Sequence, residues 1–454
     1  MGFLSPEFVL LLALGLPLVF LSLGPWQRDI LLGLSLVAYG WHEPLSVLLL
    51  VVSGLWAFLW AGSFGPHRSR CALALSVSGS LAVLVTVKYA AYFGGLLHRL
   101  TGWDAWLDSP SWILPVGVSF YTFQIVSYSV DVWKGALPPC RGFREFLLYI
   151  SFFPQLVAGP IVRGSVLLPQ LRKRIIFGSL ALESGIALFL WGAVKKTAAN
   201  SLGLVVNDAH AHSGVYQGWQ AWVVVWAYAL QIFLDFSGYS TMALGLGRMM
   251  GINLPVNFQW PYLARGFRDF WRRWHITLSL WIRDYIYIPL GGSRGSRLKV
   301  ALTLVVTMML GGLWHGAANA FVLWGLLHGI LLATERWGPF SSLLSMPVLG
   351  RLATFQIAAL LFVPFRAGSV SGAQEIIKAA MMPVQGAGVA TPEFVMVLVL
   401  LGAALIGHGA AALFGEGIWD RLVASPRWRY PLCTLGLVYI LAFFSESPHI
   451  YFRF

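Results

Sequence analysis

Ionisable side chains inside apolar segments are costly in a membrane, so each one in this chain is a candidate for chemistry. His315 lies in LTLVVTMMLGGLWHGAANAFVLWGLLHG, where one apolar run ends and another begins. A neutral imidazole there can take a proton from a hydroxyl. It can equally be a histidine hydrogen-bonded between helices, and its residue type alone does not separate the two. His328 follows 13 residues later. On a continuous helix it would point about 220° away from His315, which favours a packing role. Asp235, in YALQIFLDFSGYSTMALG, precedes Ser237, Gly238, Tyr239 and Ser240. It reads as a proton relay, an ion site or an orienting partner for a histidine. Against those stands a helix-linking hub satisfied by the nearby hydroxyls, which is the preferred reading. His275 sits among arginines and tryptophans and, taken alone, reads as an interfacial histidine. His210 and His212, in NDAHAHSG, have no further ligands nearby and read as solvated loop histidines. Cys71, Cys140 and Cys433 are scattered, so neither a zinc site nor a disulfide framework is expected. No P-loop, GxSxG, HExxH or dinucleotide fingerprint occurs, and no metal is predicted.

The elements that position these residues follow from composition. Only 11% of the 454 residues are charged and 58% are hydrophobic, with a mean hydropathy of +0.73. A soluble domain carries roughly 25% charged residues, so a soluble enzyme, a disordered tail and a nucleic-acid-binding domain are excluded. The expected fold class is an all-α polytopic membrane protein, read as one domain over residues 1–454. Spans need roughly 20 apolar residues. Candidates are 6–24, 28–41, 44–62, 71–95, 111–131, 145–162, 177–194, 219–246, 300–316, 318–335, 349–365, 394–414 and 431–446. Some of them are expected to be re-entrant or interfacial, leaving about ten to twelve spans. The first is read as uncleaved, because Glu7 precedes it and no basic residue does. The 48 glycines suit close packing of membrane helices.

The net charge is +13, and it is concentrated. Between Tyr262 and Lys299, Arg265, Arg268, Arg272, Arg273, Arg283, Arg294, Arg297 and Lys299 stand against Asp269 and Asp284. Eight minus two leaves +6, nearly half of the total. Helical spacing predicts Arg265, Arg268, Arg272 and His275 on one face, with Asp269 paired to Arg272 or Arg273. This describes an interfacial or re-entrant helix, read by composition as a headgroup anchor ahead of a basic mouth for an anionic ligand. A second cluster, Arg163, Arg172, Lys173 and Arg174, precedes the candidate span 177–194, and Lys195 and Lys196 follow it. Basic residues at both ends leave that span unoriented by the charge rule.

Residues 111–335 closely resemble the membrane-bound O-acyltransferase family in its bacterial branch. That branch includes alginate, cellulose and peptidoglycan O-acetylation proteins and the D-alanyl transfer protein of teichoic acids. The resemblance rests on LPVGVSFYTFQIVSYSVDVWKG (114–135), FFPQLVAGPIVRGSVLLPQL (152–171), YALQIFLDFSGYSTMALGLGRMMGINLPVNFQWPY (228–262), FWRRWHITLSLWIRDYIYIPLGGSR (270–294) and GLWHGAANAFVLWGLLHG (312–329). The ending SPHIYFRF (447–454) is similar to that of alginate-type members. The resemblance implies a ring of helices around a tunnel. It makes His315, of the WHG motif, the expected catalytic base. His275, of the RRWH motif, becomes the second polar residue on the donor side. Asp235, Ser237, Trp314 and Asn319 are expected to line the tunnel. Acetyl-CoA is the expected donor, with no tightly bound cofactor, and its phosphates are expected to meet Arg272, Arg273 and Arg283. The expected partners are membrane lipids and a periplasmic acetyltransferase or polysaccharide-modifying protein. No nucleic-acid partner is expected. The implied function is transfer of acetyl to an exported, alginate-like polysaccharide at the bacterial inner membrane. D-alanyl transfer from a carrier protein is the nearest alternative. A polysaccharide-precursor or ion transporter is the rival class, although no pair of repeated halves with interrupted helices is visible. A scaffold recruiting a soluble acetyltransferase is a third reading.

Overall fold

The computed structural model describes residues 1–64, 69–102, 115–212, 214–338, 340–384 and 391–444. The ending SPHIYFRF and the start of the segment 111–131 lie outside them. Among the described residues every regular element is helical. The chain packs as two compact units. Unit 1 comprises Met1–Phe189 and Met242–Pro255; unit 2 comprises Leu190–Thr241 and Val256–Phe454.

Unit 1 contains α1 (Pro6–Leu21), α2 (Pro25–Gly40), α3 (Pro44–Gly62), α4 (Arg70–Leu84), α5 (Ala90–Thr101), α6 (Val118–Lys134), α7 (Phe143–Ser151), α8 (Phe153–Leu156) and α9 (Gly164–Leu171). A π-type turn at Val85–Tyr89 joins α4 to α5. The helices α10 (Ser179–Ala211) and α11 (Trp219–Met249) each contribute part of their length to both units. The starts follow local chemistry. Ser5 accepts the Phe8 N–H with Pro6 at the first helical position, and Ser69 accepts the Ala72 N–H. Gly135 in a left-handed conformation closes α6.

Unit 2 continues with α12 (Phe267–Arg273), α13 (Ile276–Ile282), α14 (Arg297–His315), α15 (Asn319–Trp337), α16 (Phe340–Ser345), α17 (Leu349–Ala367), α18 (Val370–Met381), α19 (Pro392–Phe414), α20 (Ile418–Ala424) and α21 (Pro426–Phe443). Among the described residues six helices are long and apolar enough to cross a membrane: Pro44–Gly62, Arg70–Thr101, Trp219–Met249, Arg297–His315, Leu349–Ala367 and Pro392–Phe414. Leu298, Leu302, Val306 and Leu310 form an exposed apolar row along α14, whereas Thr303, Thr307, Gly311 and His315 form a buried one. An apolar outer face with a more polar inner one is the pattern of a helix standing in lipid. The chain is an integral, multi-pass membrane protein.

Several expected spans differ. The segment 145–162 is not one helix: α7 stops at Ser151, α8 ends at Leu156, and a turn and an irregular stretch lead to α9. Pro154 lacks an N–H and its ring blocks continuation of α7. The freed backbone is satisfied internally, since Gln155 Nε2 donates to the Tyr149 carbonyl at 2.9 Å and the Tyr149 hydroxyl donates to the Val162 carbonyl at 3.0 Å. The segment 177–194 is instead the start of the 33-residue α10. Lys196 is therefore a buried mid-helix residue and not a flanking charge. His210 belongs to the last turn of α10 rather than a loop, and it and His212 are exposed, with His212 Nδ1 3.0 Å from Asp208.

In unit 2, α14 and α15 pack backbone against backbone. A Cβ on Gly312 would strike the Phe321 carbonyl, one on Gly325 the Met308 carbonyl, and one on Gly329 the Cα of Val305. Backbones thus touch where side chains would hold them apart. We expect Gly325→Val to cost about 2 kcal/mol or more through overpacking. Gly402→Ala on α19, with nothing within 4 Å of the new Cβ, should leave stability unchanged or slightly raised. Thermal unfolding in detergent measures both; equal midpoints for Gly325→Val and the parent chain would contradict the packing account.

Candidate active site

The helix α12 is short because the chain turns at its end. His275 has φ 42° and ψ 55° and is one of two non-glycine residues at positive φ among the described residues, the other being Trp260. The left-handed region costs an L-residue roughly 1–2 kcal/mol. Asn257 holds the turn in place. Its carbonyl accepts the Ile276 N–H at 2.9 Å, and its Oδ1 accepts the Thr277 N–H at 3.2 Å and the Thr277 hydroxyl at 2.9 Å. Its Nδ2 donates to Ser240 Oγ at 3.3 Å. One register back, the Gln259 N–H donates to the Arg273 carbonyl at 2.9 Å.

The turn overturns the single-face expectation. Arg265 precedes α12 and His275 follows it, so the four residues share no helical face. Arg268 and Arg272 are exposed, while His275 is fully buried. The His275 ring lies 4.5 Å from Phe236, edge to face, and 6.0 Å from Trp314 between centroids. Asp269 pairs with Arg273 at 2.9 Å rather than with Arg272.

His315 is the last residue of α14, and the break at Gly316–Ala318 separates it from α15. The chain reverses there, so the angular separation of His315 and His328 on one helix does not apply. His315 instead packs against Trp314 at 4.9 Å, Trp324 at 5.2 Å and Phe365 at 5.1 Å. Trp324 also lies 4.5 Å from His328. Trp314 therefore links His315 to His275, and Trp324 links it to His328. His328 is buried among Phe267, Phe270 and Trp271, and its Nδ1 has no hydrogen-bond partner among the described residues. Asn319, the first residue of α15, is exposed.

Asp235 is buried on α11, and Lys196 Nζ of α10 lies 2.5 Å from its Oδ1. A lysine, not only the neighbouring hydroxyls, thus answers the carboxylate. Gly238 makes the pairing possible, because a Cβ there would meet the Gly192 carbonyl at 2.8 Å and the Lys196 N at 3.0 Å. Lys195 Nζ donates to Thr241 Oγ1 at 3.0 Å, which donates to the Ser237 carbonyl at 2.6 Å. The Ser237 hydroxyl is buried and has no hydrogen-bond partner among the described residues. Lys196 and Asn257 are the residues that reading the sequence missed. The one signal for Lys196 was a lysine pair interrupting an otherwise apolar helical run.

The three arginines differ. Arg272 makes no ion pair or hydrogen bond among the described residues. Arg273 Nε meets Asp269 and its Nη1 meets Glu416 at 2.6 Å. Arg283 Nε meets Asp284 at 2.6 Å. Among the described residues no cluster of three His, Cys, Asp or Glu side chains could hold a metal ion.

Removing one partner of a buried ion pair leaves an uncompensated charge. Lys196→Met should cost about 3–5 kcal/mol, and the double variant Lys196→Met/Asp235→Leu should recover most of it. Thermal unfolding of the single and double variants reads this, and equal losses in both would refute the coupling.

Residues 140–350 match the family described as MBOAT, membrane-bound O-acyltransferase. The chain is 37% identical over 391 residues to a probable alginate O-acetylase of Pseudomonas aeruginosa, covering 84% of this chain and 74% of the relative. It is 39% identical over 346 residues to the probable alginate O-acetylase of Azotobacter vinelandii, covering 74% and 69%. A peptidoglycan O-acetyltransferase of Helicobacter pylori is 31% identical over 451 residues, covering 85% and 82%. With its lipid-facing helices and the WHG histidine at the end of α14, the chain belongs to the membrane-bound O-acyltransferase family.

Proposed function

We propose that this O-acyltransferase works as a single domain of the bacterial inner membrane. It moves acetyl from cytoplasmic acetyl-CoA to a hydroxyl on the periplasmic side, for O-acetylation of an exported, alginate-like polysaccharide. The observation that carries the reading is the linked pair of imidazoles, His315 and His275, joined through Trp314 within a water-poor aromatic shell. Relatives named as alginate O-acetylases and a peptidoglycan O-acetyltransferase support the acetyl group and the polysaccharide class.

In this reading His315 takes the proton of the acceptor hydroxyl. The freed oxygen attacks the thioester carbonyl, the C–S bond breaks, and the coenzyme A thiolate leaves with the proton that His315 held. The acceptor is a sugar or a serine of a periplasmic partner protein that passes the acetyl on. His275 contacts the thioester from the donor side. The exposed guanidinium of Arg272 meets the phosphates, and Arg273 and Arg283 add positive potential from within their ion pairs. Asp235, Ser237, Trp314 and Asn319 line the route between donor and acceptor.

Replacing His315 by Ala should lower transfer of radiolabelled acetyl from acetyl-CoA by about 1,000-fold or more, while the variant still inserts and folds. Ordinary acetylation by that variant would sink the base assignment. Ion flux without transfer would favour a transporter. Asn257→Ala, which releases the turn after His275, should depress turnover at normal expression, and Asn257→Asp, which keeps the Oδ1 acceptor, should restore part of it. No change of rate in Asn257→Ala would show that the His275 turn is unimportant.

A further inference from the structure

Unit 1 holds a cavity of about 560 Å³ lined by none of the residues named above for acetyl transfer. Its charged lining is Arg28, Asp29, Arg141, Arg144, Glu145 and Arg172, and leucines of α2, α7 and α9 form an apolar wall. Four arginines against two carboxylates leave an excess of two positive charges. The pairing is uneven. Arg172 Nε is held by Glu145 at 2.5 Å. Arg144 reaches Asp29 only at 3.7 Å, with its side chain 83% exposed. Arg28 and Arg141 make no ion pair or hydrogen bond among the described residues.

The walls are tied down. Gln27 Nε2 donates to the Val19 carbonyl at 2.9 Å and to the Ile175 carbonyl at 2.7 Å, while its Oε1 accepts the Ile175 N–H at 2.8 Å. This buried amide fastens the segment after Arg172 to the first turn of α2. The buried Tyr128 hydroxyl accepts the Cys140 N–H at 2.8 Å, which fixes the chain just before Arg141. The surroundings mark the headgroup layer. Trp26 is 71% exposed beside Arg28, and exposed Ile176 and Phe177 follow Lys173 and Arg174. Tryptophan and arginine together are the signature of a membrane interface, and the excess of basic residues assigns it to the cytoplasmic leaflet.

We propose that this cavity binds the phosphate of an amphipathic anion, with Arg28 and Arg141 as its principal ligands. Guanidinium forks match phosphate oxygens bidentately, and the leucine wall suits an attached apolar chain. Two sources share this chemistry: an anionic phospholipid headgroup of the inner leaflet, and the phosphates of coenzyme A. The first leaves the acetyl-transfer reading as it stands, whereas the second rests on that reading and places the donor phosphates here in place of Arg272.

The test uses the full chain in detergent and the variant Arg28→Gln/Arg141→Gln. Native mass spectrometry in micelles doped with phosphatidylglycerol or phosphatidylcholine reads lipid retention, and calorimetric titration with coenzyme A reads the other source. We expect the parent chain to retain phosphatidylglycerol over phosphatidylcholine and the variant to lose it about tenfold or more. A tenfold loss of coenzyme A affinity with lipid retention unchanged would support the site and identify its ligand as the acyl donor. Unchanged retention and unchanged titration would overturn the proposal. Both arginines are exposed, so the unfolding midpoint should not move. If it does, Arg28→Lys/Arg141→Lys decides: retained charge with restored binding supports the site, and restored folding without binding refutes it. His315→Ala should bind as the parent does, which keeps failure of the catalytic reading apart from failure of this one.

Discussion

The approach of α14 to α15 is limited only by backbone atoms, and the surroundings of His315 depend on it. At Gly312, Gly325 and Gly329 no side chain intervenes, so carbonyls and Cα atoms of the two helices meet. In lipid there is little hydrophobic gain from pairing helices, and close van der Waals contact has to supply the attraction. That contact brings Trp324 of α15 against His315 at the end of α14. The break at Gly316–Ala318 then leaves the imidazole at a helix end, buried among Trp314, Trp324 and Phe365.

A second constraint is that irregular backbone and charge at this depth need internal partners. The turn at His275 adopts an unfavourable conformation, and Asn257 offsets it with hydrogen bonds to both residues that follow. The carboxylate of Asp235 is answered by Lys196. The start of α12 is answered by Glu335, whose Oε2 accepts the Phe267 and Arg268 N–H groups at 2.5 and 3.1 Å. Thr354 accepts the Gly266 N–H at 2.7 Å just before it. Each device uses a residue distant in the chain, so the short helices around His275 hold their shape through tertiary contacts and not through propensity.

Much of the architecture was legible beforehand. Long apolar runs with few charges can satisfy their backbone in lipid only as helices, and α3, α11, α14, α17 and α19 begin and end near the limits read from hydropathy. The arginine–tryptophan segment stood apart from the apolar runs around it, although its break at His275 was not legible, and His315 and His275 stood out as motif residues. The segment 145–162 was not legible as broken, because a hydropathy window averages over Pro154. Nor was Lys196 legible as buried, because a lysine at the edge of a short apolar run looks like an interfacial flank.

Sequence alone determined the class of the protein, its membrane location and the residue types available for acyl transfer, since composition and local periodicity respond to the solvent the chain must occupy. Only the tertiary structure decided which of those residues meet. The left-handed turn sends His275 inward and leaves Arg272 outside, and the reversal after His315 brings His328 to the same tryptophan. Lys196 finds Asp235 from another helix. These outcomes depend on long-range hydrogen bonds and on backbone contact at glycine, and the local sequence names the partner of neither.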